Sequence, residues 1–335
     1  MKHVLSIEEL ALESGEVLEN IELAYHTYGK MNKDQSNVVW VFHALTADSD
    51  PKSWWKGVIG GDAVINEKDH FIVCANILGS CYGSTGPLSI NPKTKYPYYY
   101  DFPFITIRDI VSAHQLLKEH LGINKISLGI GGSMGGSQLL EWTLREPQLF
   151  DKLTVIAASA KESPWGIATH TMQRKAIEND STWGKEIKQA GKEGLKIARG
   201  IGMLSYRSYE AFEKAQSDEK DKVDDFKAST YLAYQGEKFA NRFNAYSYHT
   251  LSKTLDTHNL ARNRGELNEV LSEIKQDTLI IGITSDMLCP VKEQQYMSEH
   301  IPNNEFHQIE SNFGHDGFLV ESEKINNHLK TFLKN

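Results

Sequence analysis

Ser133 stands in Gly131-Gly132-Ser133-Met134-Gly135, a G-x-S-x-G sequence in which glycines frame a serine from two positions before and two after. An apolar run over 125–130 precedes it, and a helical pattern over 138–145, stopped by Pro147, follows it. This context identifies a nucleophile elbow. The serine occupies a strained strand-to-helix turn that exposes its Oγ above a sheet, and the glycines leave room where strand and helix almost collide.

A serine hydroxyl is a weak nucleophile and needs a base, and the base needs an orienting acid. With this elbow the chain order is Ser, then Asp or Glu, then His. The apolar run 277–283 leads into Thr284-Ser285-Asp286, which puts Asp286 at a strand end, and the run 305–309 is followed by Phe313-Gly314-His315-Asp316-Gly317. Asp286 is the expected acid and His315 the expected base. Of the other histidines nearby, His307 falls inside a strand, and His300 and His328 fall on flanking helices facing water. Acyl chemistry also needs N–H donors aimed at a developing oxyanion. One is the backbone of Met134, and the second is expected from Leu45 in the loop 42–48, where His43 braces the loop rather than acting as a base. Cys289, near Asp286, reads as a buried structural thiol.

These side chains need a rigid frame. Residues 1–30 alternate apolar and polar around Ser14-Gly15, as an antiparallel hairpin does. Buried-strand runs follow at 37–42, 70–77, 125–130, 152–158 and 277–283, with a helix at 107–121 ended by Gly122. Strands alternating with helices imply an α/β fold whose mostly parallel sheet is covered on both faces. From 163 to 265 the apolar spacing turns helical, with helices read at 173–177, 192–206, 209–215 and 226–248. The expected organisation is a core domain of 1–162 and 266–335 with a helical lid domain of 163–265. The charged run 218–222 reads as a solvated turn.

With 335 residues, 40% of them apolar, the chain can bury a large core, and it has no apolar run long enough to span a bilayer. Acids interrupt the first ten residues too early for a signal peptide. Three cysteines without metal-ligand spacing fit a reducing cytoplasm and suggest no metal site. A net charge of -8 argues against nucleic acid and offers no global attraction to anionic substrates, so such a ligand must be held by local cations.

Nearly end to end, the chain resembles the homoserine O-acetyltransferases of the α/β-hydrolase fold. The resemblance rests on Phe42-His43-Ala44-Leu45-Thr46, Trp54-Trp55, the loop Asn76-Ile77-Leu78-Gly79-Ser80-Cys81-Tyr82-Gly83-Ser84-Thr85-Gly86-Pro87, and the elbow. It extends to Gln173-Arg174-Lys175-Ala176-Ile177, Tyr234-Gln235-Gly236-Glu237-Lys238-Phe239, Leu255-Asp256-Thr257-His258 and Gly314-His315-Asp316-Gly317-Phe318-Leu319. It implies a Ser133–Asp286–His315 triad, Arg199 for the homoserine carboxylate with Tyr206 beside it, and Asp316 for the amine. It further implies ping-pong transfer of acetyl from acetyl-CoA to L-homoserine in methionine biosynthesis, no permanently bound cofactor, and a homodimer joined through the helical insertion. A zwitterionic acceptor suits one cation and one anion about a serine, and Arg fits a carboxylate through its bidentate fork.

The chain departs from the family at Thr46-Ala47-Asp48, at Ser137 and at Tyr96-Pro97-Tyr98-Tyr99-Tyr100; Ala47 and the tyrosines are the positions expected to reshape the acyl pocket. The alternatives are succinyl-CoA as donor, for which Lys52 and Lys56 supply candidate cations, L-serine as acceptor, a serine esterase with water as acceptor, and a catalytically silent binding protein.

Overall fold

The computed structural model describes residues 1–334. Two long strands, β1 (Lys2–Ala11) and β2 (Val17–Tyr28), form the expected hairpin, with Leu10 opposite Leu18 and the turn at Ser14-Gly15. Next come β3 (Val38–Phe42), the short α1 (Pro51–Trp54), β4 (Phe71–Ala75), α2 (Ile107–His120), β5 (Ile126–Gly132), α3 (Met134–Arg145) and β6 (Phe150–Ile156). Five helices follow without a strand: α4 (Pro164–Glu178), α5 (Lys192–Tyr206), α6 (Tyr209–Gln216), α7 (Lys227–Ala240) and α8 (Ala245–Asp256). The chain then completes the sheet through α9 (Leu267–Ser272), β7 (Asp277–Ile283), α10 (Val291–His300), β8 (Asn304–Ile309), α11 (Gly317–Val320) and α12 (Ser322–Phe332).

Among the described residues, eight strands make one sheet in the order β1-β2-β4-β3-β5-β6-β7-β8. β2 pairs with β1 and β4 antiparallel, and every pairing from β4 through β8 is parallel. Parallel strands need both faces covered, and β3 shows how the sequence provides this. Its five residues are all buried, with Trp40 and Phe42 in one apolar layer and Val39 and Val41 in the other. In the first layer Trp40 and Phe42 meet Trp142 of α3 edge-on, at centroid distances of 4.9 and 5.9 Å. In the second, Ile130 and Ile281 lie with Phe318, Ile325 and Leu329 from the C-terminal helices.

Local signals set the helix limits. Thr106 and Asp109 form a reciprocal capping box at the start of α2, and Gly122, at φ +66°, follows its end. The segment read at 173–177 is part of a longer α4, which begins at Pro164 because the Ser163 hydroxyl accepts the Gly166 amide at 3.0 Å. The single helix read over 226–248 is two: α7 ends at Ala240, and the Asn244 side chain accepts the Ser247 amide at 2.8 Å to start α8. The five-helix stretch is closed at its base by an antiparallel bridge between Lys161 and Asn259.

Candidate active site

The sheet brings four loops to the carboxyl ends of β3, β5, β7 and β8, where open α/β sheets place their ligands. Ser133 follows β5 directly and has φ 54° and ψ -129°, a conformation that costs on the order of 1–3 kcal/mol for a residue with a side chain. The Ser133 amide donates to the Ile156 carbonyl at 2.9 Å, which pins the turn to β6. The flanking glycines are steric requirements: a Cβ on Gly131 would collide with the Gly135 backbone, and one on Gly135 with the Phe42 carbonyl.

The Ser133 Oγ lies 2.8 Å from His315 Nε2, and His315 Nδ1 lies 2.7 Å from Asp286 Oδ2. The other carboxylate oxygen of Asp286 accepts the amides of Leu288 and Cys289 at 2.8 and 2.9 Å, so both of its oxygens are committed. This fixes the imidazole: Nδ1 carries the proton toward Asp286, and Nε2 presents its lone pair to the serine. Burial of His315 disfavours its charged form, but the carboxylates of Asp286, Asp316 and Glu162 together outweigh this and hold the imidazole above its ordinary range. Cys289 is half-buried; burial and the Asp286 charge push its thiol well up, so it stays protonated and inert.

The loop after β3 is braced as expected. His43 is fully buried, donates from Nδ1 to the Ala44 carbonyl at 2.8 Å, and accepts the Ile77 amide on Nε2 at 3.0 Å. Burial pushes its pKa down to about 4, which keeps it neutral. Gln138 Nε2 donates to both the His43 and Met134 carbonyls at 3.1 Å, tying this loop to the elbow helix. Met134 opens α3, where amides have no acceptor within the helix. Leu45 lines the cavity above Ser133.

That cavity, of about 430 Å³, is also walled by Ala47, His170, Arg199, Tyr206, Arg242 and Asp316. Arg199 stacks its guanidinium over the rings of Tyr206 and Phe239 at 5.5 and 5.0 Å, and its Nε is buried with no hydrogen-bond partner among the described residues. Tyr206 lies with its ring centroid 6.1 Å from that of His315. Asp316 is half-buried, and burial raises its pKa against the pull of Arg207 and Arg199. Arg207 Nε sits 3.1 Å from Asp316 Oδ2 as an ion pair without hydrogen-bond alignment, which leaves the carboxylate lone pairs available.

Several neighbours were not legible in the sequence. Asp256 joins His170, at 2.8 Å, to Arg174, at 2.6 Å, so two of the quoted motifs meet beneath the cavity. Arg242 donates to the Thr46 carbonyl at 2.8 Å and to the Tyr82 hydroxyl at 2.5 Å. Both contacts span more than 150 residues, and neither helical register nor local motif announces them.

One expectation is corrected, and the succinyl alternative loses its candidate lysines. Residues 96–100 do not line the acyl cavity, because Tyr99 and Tyr100 pack on Tyr246 of α8, and Tyr100 also on Trp183. Lys52 and Lys56 line a separate surface cleft, and Lys52 is paired with Glu67 at 2.5 Å. His307 stacks on His328 at 4.2 Å, and His300 closes α10, leaving all three rival histidines outside the cavity lining.

Residues 37–322 match the family model of the alpha/beta hydrolase fold. A homoserine O-acetyltransferase of Cyclobacterium marinum is 50% identical over 325 residues, covering 97% of this chain and 93% of that protein. The crystal structure of a homoserine O-acetyltransferase from Staphylococcus aureus superposes with a TM-score of 0.84 at 30% identity, covering 100% of this chain and 96% of that one. The crystal structure of esterase E22 superposes with a TM-score of 0.92 at 22% identity and 99% coverage of both chains, a likeness of fold alone. An elbow serine, a charged cavity above it and identity sustained along nearly the whole chain meet in one conclusion: this chain belongs to the homoserine O-acetyltransferase family of the alpha/beta hydrolase fold.

Proposed function

We propose that this protein transfers an acetyl group from acetyl-CoA to the hydroxyl of L-homoserine through an acetyl-serine intermediate on Ser133. The observation that carries this is a relayed serine in a cavity walled by both a cation, Arg199, and an anion, Asp316. In the first step Ser133 Oγ attacks the thioester carbonyl as His315 Nε2 takes its proton, while Asp286 stabilises the imidazolium. The Leu45 and Met134 amides hold the oxyanion. The C–S bond breaks, and the thiolate leaves with the proton from His315.

In the second step the homoserine carboxylate sits on Arg199 beside Tyr206, and its ammonium on Asp316. Its hydroxyl gives a proton to His315 Nε2 and attacks the acetyl carbonyl; collapse returns the proton to Ser133 Oγ. Water loses the competition because a charged, lid-covered cavity positions the zwitterion and excludes solvent. An acetyl rather than a succinyl donor is supported by the 50% identical relative, a homoserine O-acetyltransferase; Lys52 and Lys56, the candidate cations for a succinyl group, lie away from the cavity.

We treat 163–265 as a lid domain, supported by the bridge between Lys161 and Asn259 at its base. A homodimer through this insertion is supported by its exposed apolar side chains, among them Ile197, Leu204, Tyr209 and Phe226. A cytoplasmic setting is supported by three free cysteines. The product, O-acetyl-L-homoserine, belongs to methionine biosynthesis.

Steady-state thiol release from acetyl-CoA tests the activity. It is expected to depend on L-homoserine and to yield O-acetylhomoserine in equal amount. Equal rates with and without homoserine identify a hydrolase instead, and a preference for L-serine or succinyl-CoA overturns the substrate assignment.

A further inference from the structure

A second oriented histidine, His170, lines the cavity above Ser133, and neither acyl-transfer step uses it. It lies on α4, is 2% exposed, and is held from behind. Its Nδ1 donates to Asp256 Oδ1 at 2.8 Å, and Asp256 Oδ2 accepts from Arg174 at 2.6 Å. Arg174 stands one turn further along α4 and is steadied by the hydroxyls of Thr171, at 3.1 Å, and Ser252, at 3.4 Å. The arrangement repeats that of Asp286 and His315: a carboxylate, itself fixed, orients an imidazole through Nδ1. His170 Nε2 has no protein partner among the described residues. A neutral ring held in this way presents a lone pair at Nε2, and a polar atom withdrawn from bulk water is costly unless a ligand meets it.

The amino-acid acceptor offers N–H donors for that lone pair. Three N–H groups diverge from an ammonium, and a carboxylate on one side of it reaches at most two. Asp316 therefore leaves one donor over in a cavity that excludes water. Of the other lining groups, Arg199 and Arg242 only donate, Ser133 and His315 are committed to the reaction, and Asp48 Oδ1 already accepts the Asp50 amide at 2.7 Å. The charges of His170 and His315 both act on the buried Glu162 carboxylate, which puts His170 at the end of the cavity where Asp316 follows His315.

We propose that His170 is a further specificity residue for the acceptor, its Nε2 accepting an N–H of the ammonium that Asp316 holds. Choice of an amino acid over a plain hydroxy acid then depends on both residues, and Asp256 and Arg174 act through His170 by fixing its proton on Nδ1. This rests on the transfer to L-homoserine assigned above.

The test uses the full-length protein with His170→Phe, which keeps a ring but loses the acceptor, and Asp256→Asn. In Asp256→Asn the amide oxygen stays on Arg174, so the NH₂ faces Nδ1, moves the ring proton to Nε2 and turns a donor toward the ammonium. KM for L-homoserine is expected to rise at least about tenfold in each, with KM for acetyl-CoA unchanged. 4-Hydroxybutanoate, which keeps the carboxylate and hydroxyl but lacks the ammonium, is assayed as a competitor of L-homoserine, and its inhibition constant is expected to stay as in the wild type. An unchanged KM for L-homoserine in whichever variant is folded by circular dichroism overturns the assignment of His170 while leaving the transferase intact. Equal weakening of L-homoserine and 4-hydroxybutanoate overturns it as well, since that is the mark of a structural role. Absence of homoserine-dependent thiol release in the wild type overturns the transferase reading and the His170 assignment with it.

Discussion

Replacing Asp286 by Asn tests the relay through its hydrogen-bond directions. In the wild type, Asp286 Oδ1 accepts two backbone amides, from Leu288 and Cys289, and Oδ2 accepts from His315 Nδ1. An asparagine has one acceptor oxygen and one donor NH₂. Turning the NH₂ toward the two amides would leave buried donors facing a donor, at about 1–3 kcal/mol for each unsatisfied group. The oxygen therefore stays on the amides, and the NH₂ faces His315 Nδ1. That forces Nδ1 to accept and moves the imidazole proton to Nε2, the nitrogen that must take the proton from Ser133. The expected loss in thiol release is about 10⁴-fold, or about 5.5 kcal/mol of transition-state stabilisation. Single-turnover thiol release from acetyl-CoA measures it, with circular dichroism and urea unfolding confirming an intact fold. Activity within tenfold of wild type in a folded Asp286→Asn variant would refute the tautomer assignment.

Other outcomes follow from the same structure. Below a midpoint that lies above the ordinary imidazole value, the wild-type rate of donor cleavage is expected to fall as protonated His315 loses its capacity as a base; a pH–rate profile with its midpoint below that value contradicts this. Gly135→Ala is expected to destabilise the fold by on the order of 3 kcal/mol, because its methyl meets the Phe42 carbonyl; urea titration measures it. His43, His114 and His258 are held neutral by burial at about 4, 3 and 4, so between the ordinary 6.5 and these values the unfolded chain binds more protons. Stability is therefore lost as pH falls through this window, by about 2 kcal/mol per histidine at pH near 5, and His114→Phe should flatten the pH dependence of the urea midpoint. His315 has the opposite sign, its contribution being lost as pH rises through its raised folded value. Arg199→Lys is expected to raise KM for L-homoserine at least about tenfold with little change in KM for acetyl-CoA, as a bidentate fork becomes a point charge.

The elbow, the meeting of Ser133, His315 and Asp286 within hydrogen-bond reach, and the parallel sheet were legible because each follows from a local constraint. Gly131 and Gly135 are demanded by close backbone approach, and Asp286 and His315 sit just beyond recognisable strands. Arg199 and Tyr206, which line the cavity above Ser133, were singled out only through the family resemblance, since a helical arginine and an aromatic have no chemical signature alone. Gln138, which braces the loop after β3, was invisible because its partner His43 lies 95 residues away. Arg207 and Arg242 were hidden for the same reason, their partners Asp316 and Tyr82 lying on distant loops. The tyrosines at 96–100 misled because composition gives no direction: Tyr99 and Tyr100 turn toward α8, Tyr98 packs on Phe102 and Tyr96 is exposed.

The central claim is that Ser133 carries the acetyl group between donor and acceptor. The most direct test is mass spectrometry of the protein mixed with acetyl-CoA in the absence of homoserine. The expected result is one acetyl group per chain on the peptide containing Ser133, formed with a stoichiometric burst of thiol and discharged to O-acetylhomoserine when L-homoserine is added. Turnover with no acetylated Ser133 at any time, or full turnover by Ser133→Ala, would contradict it.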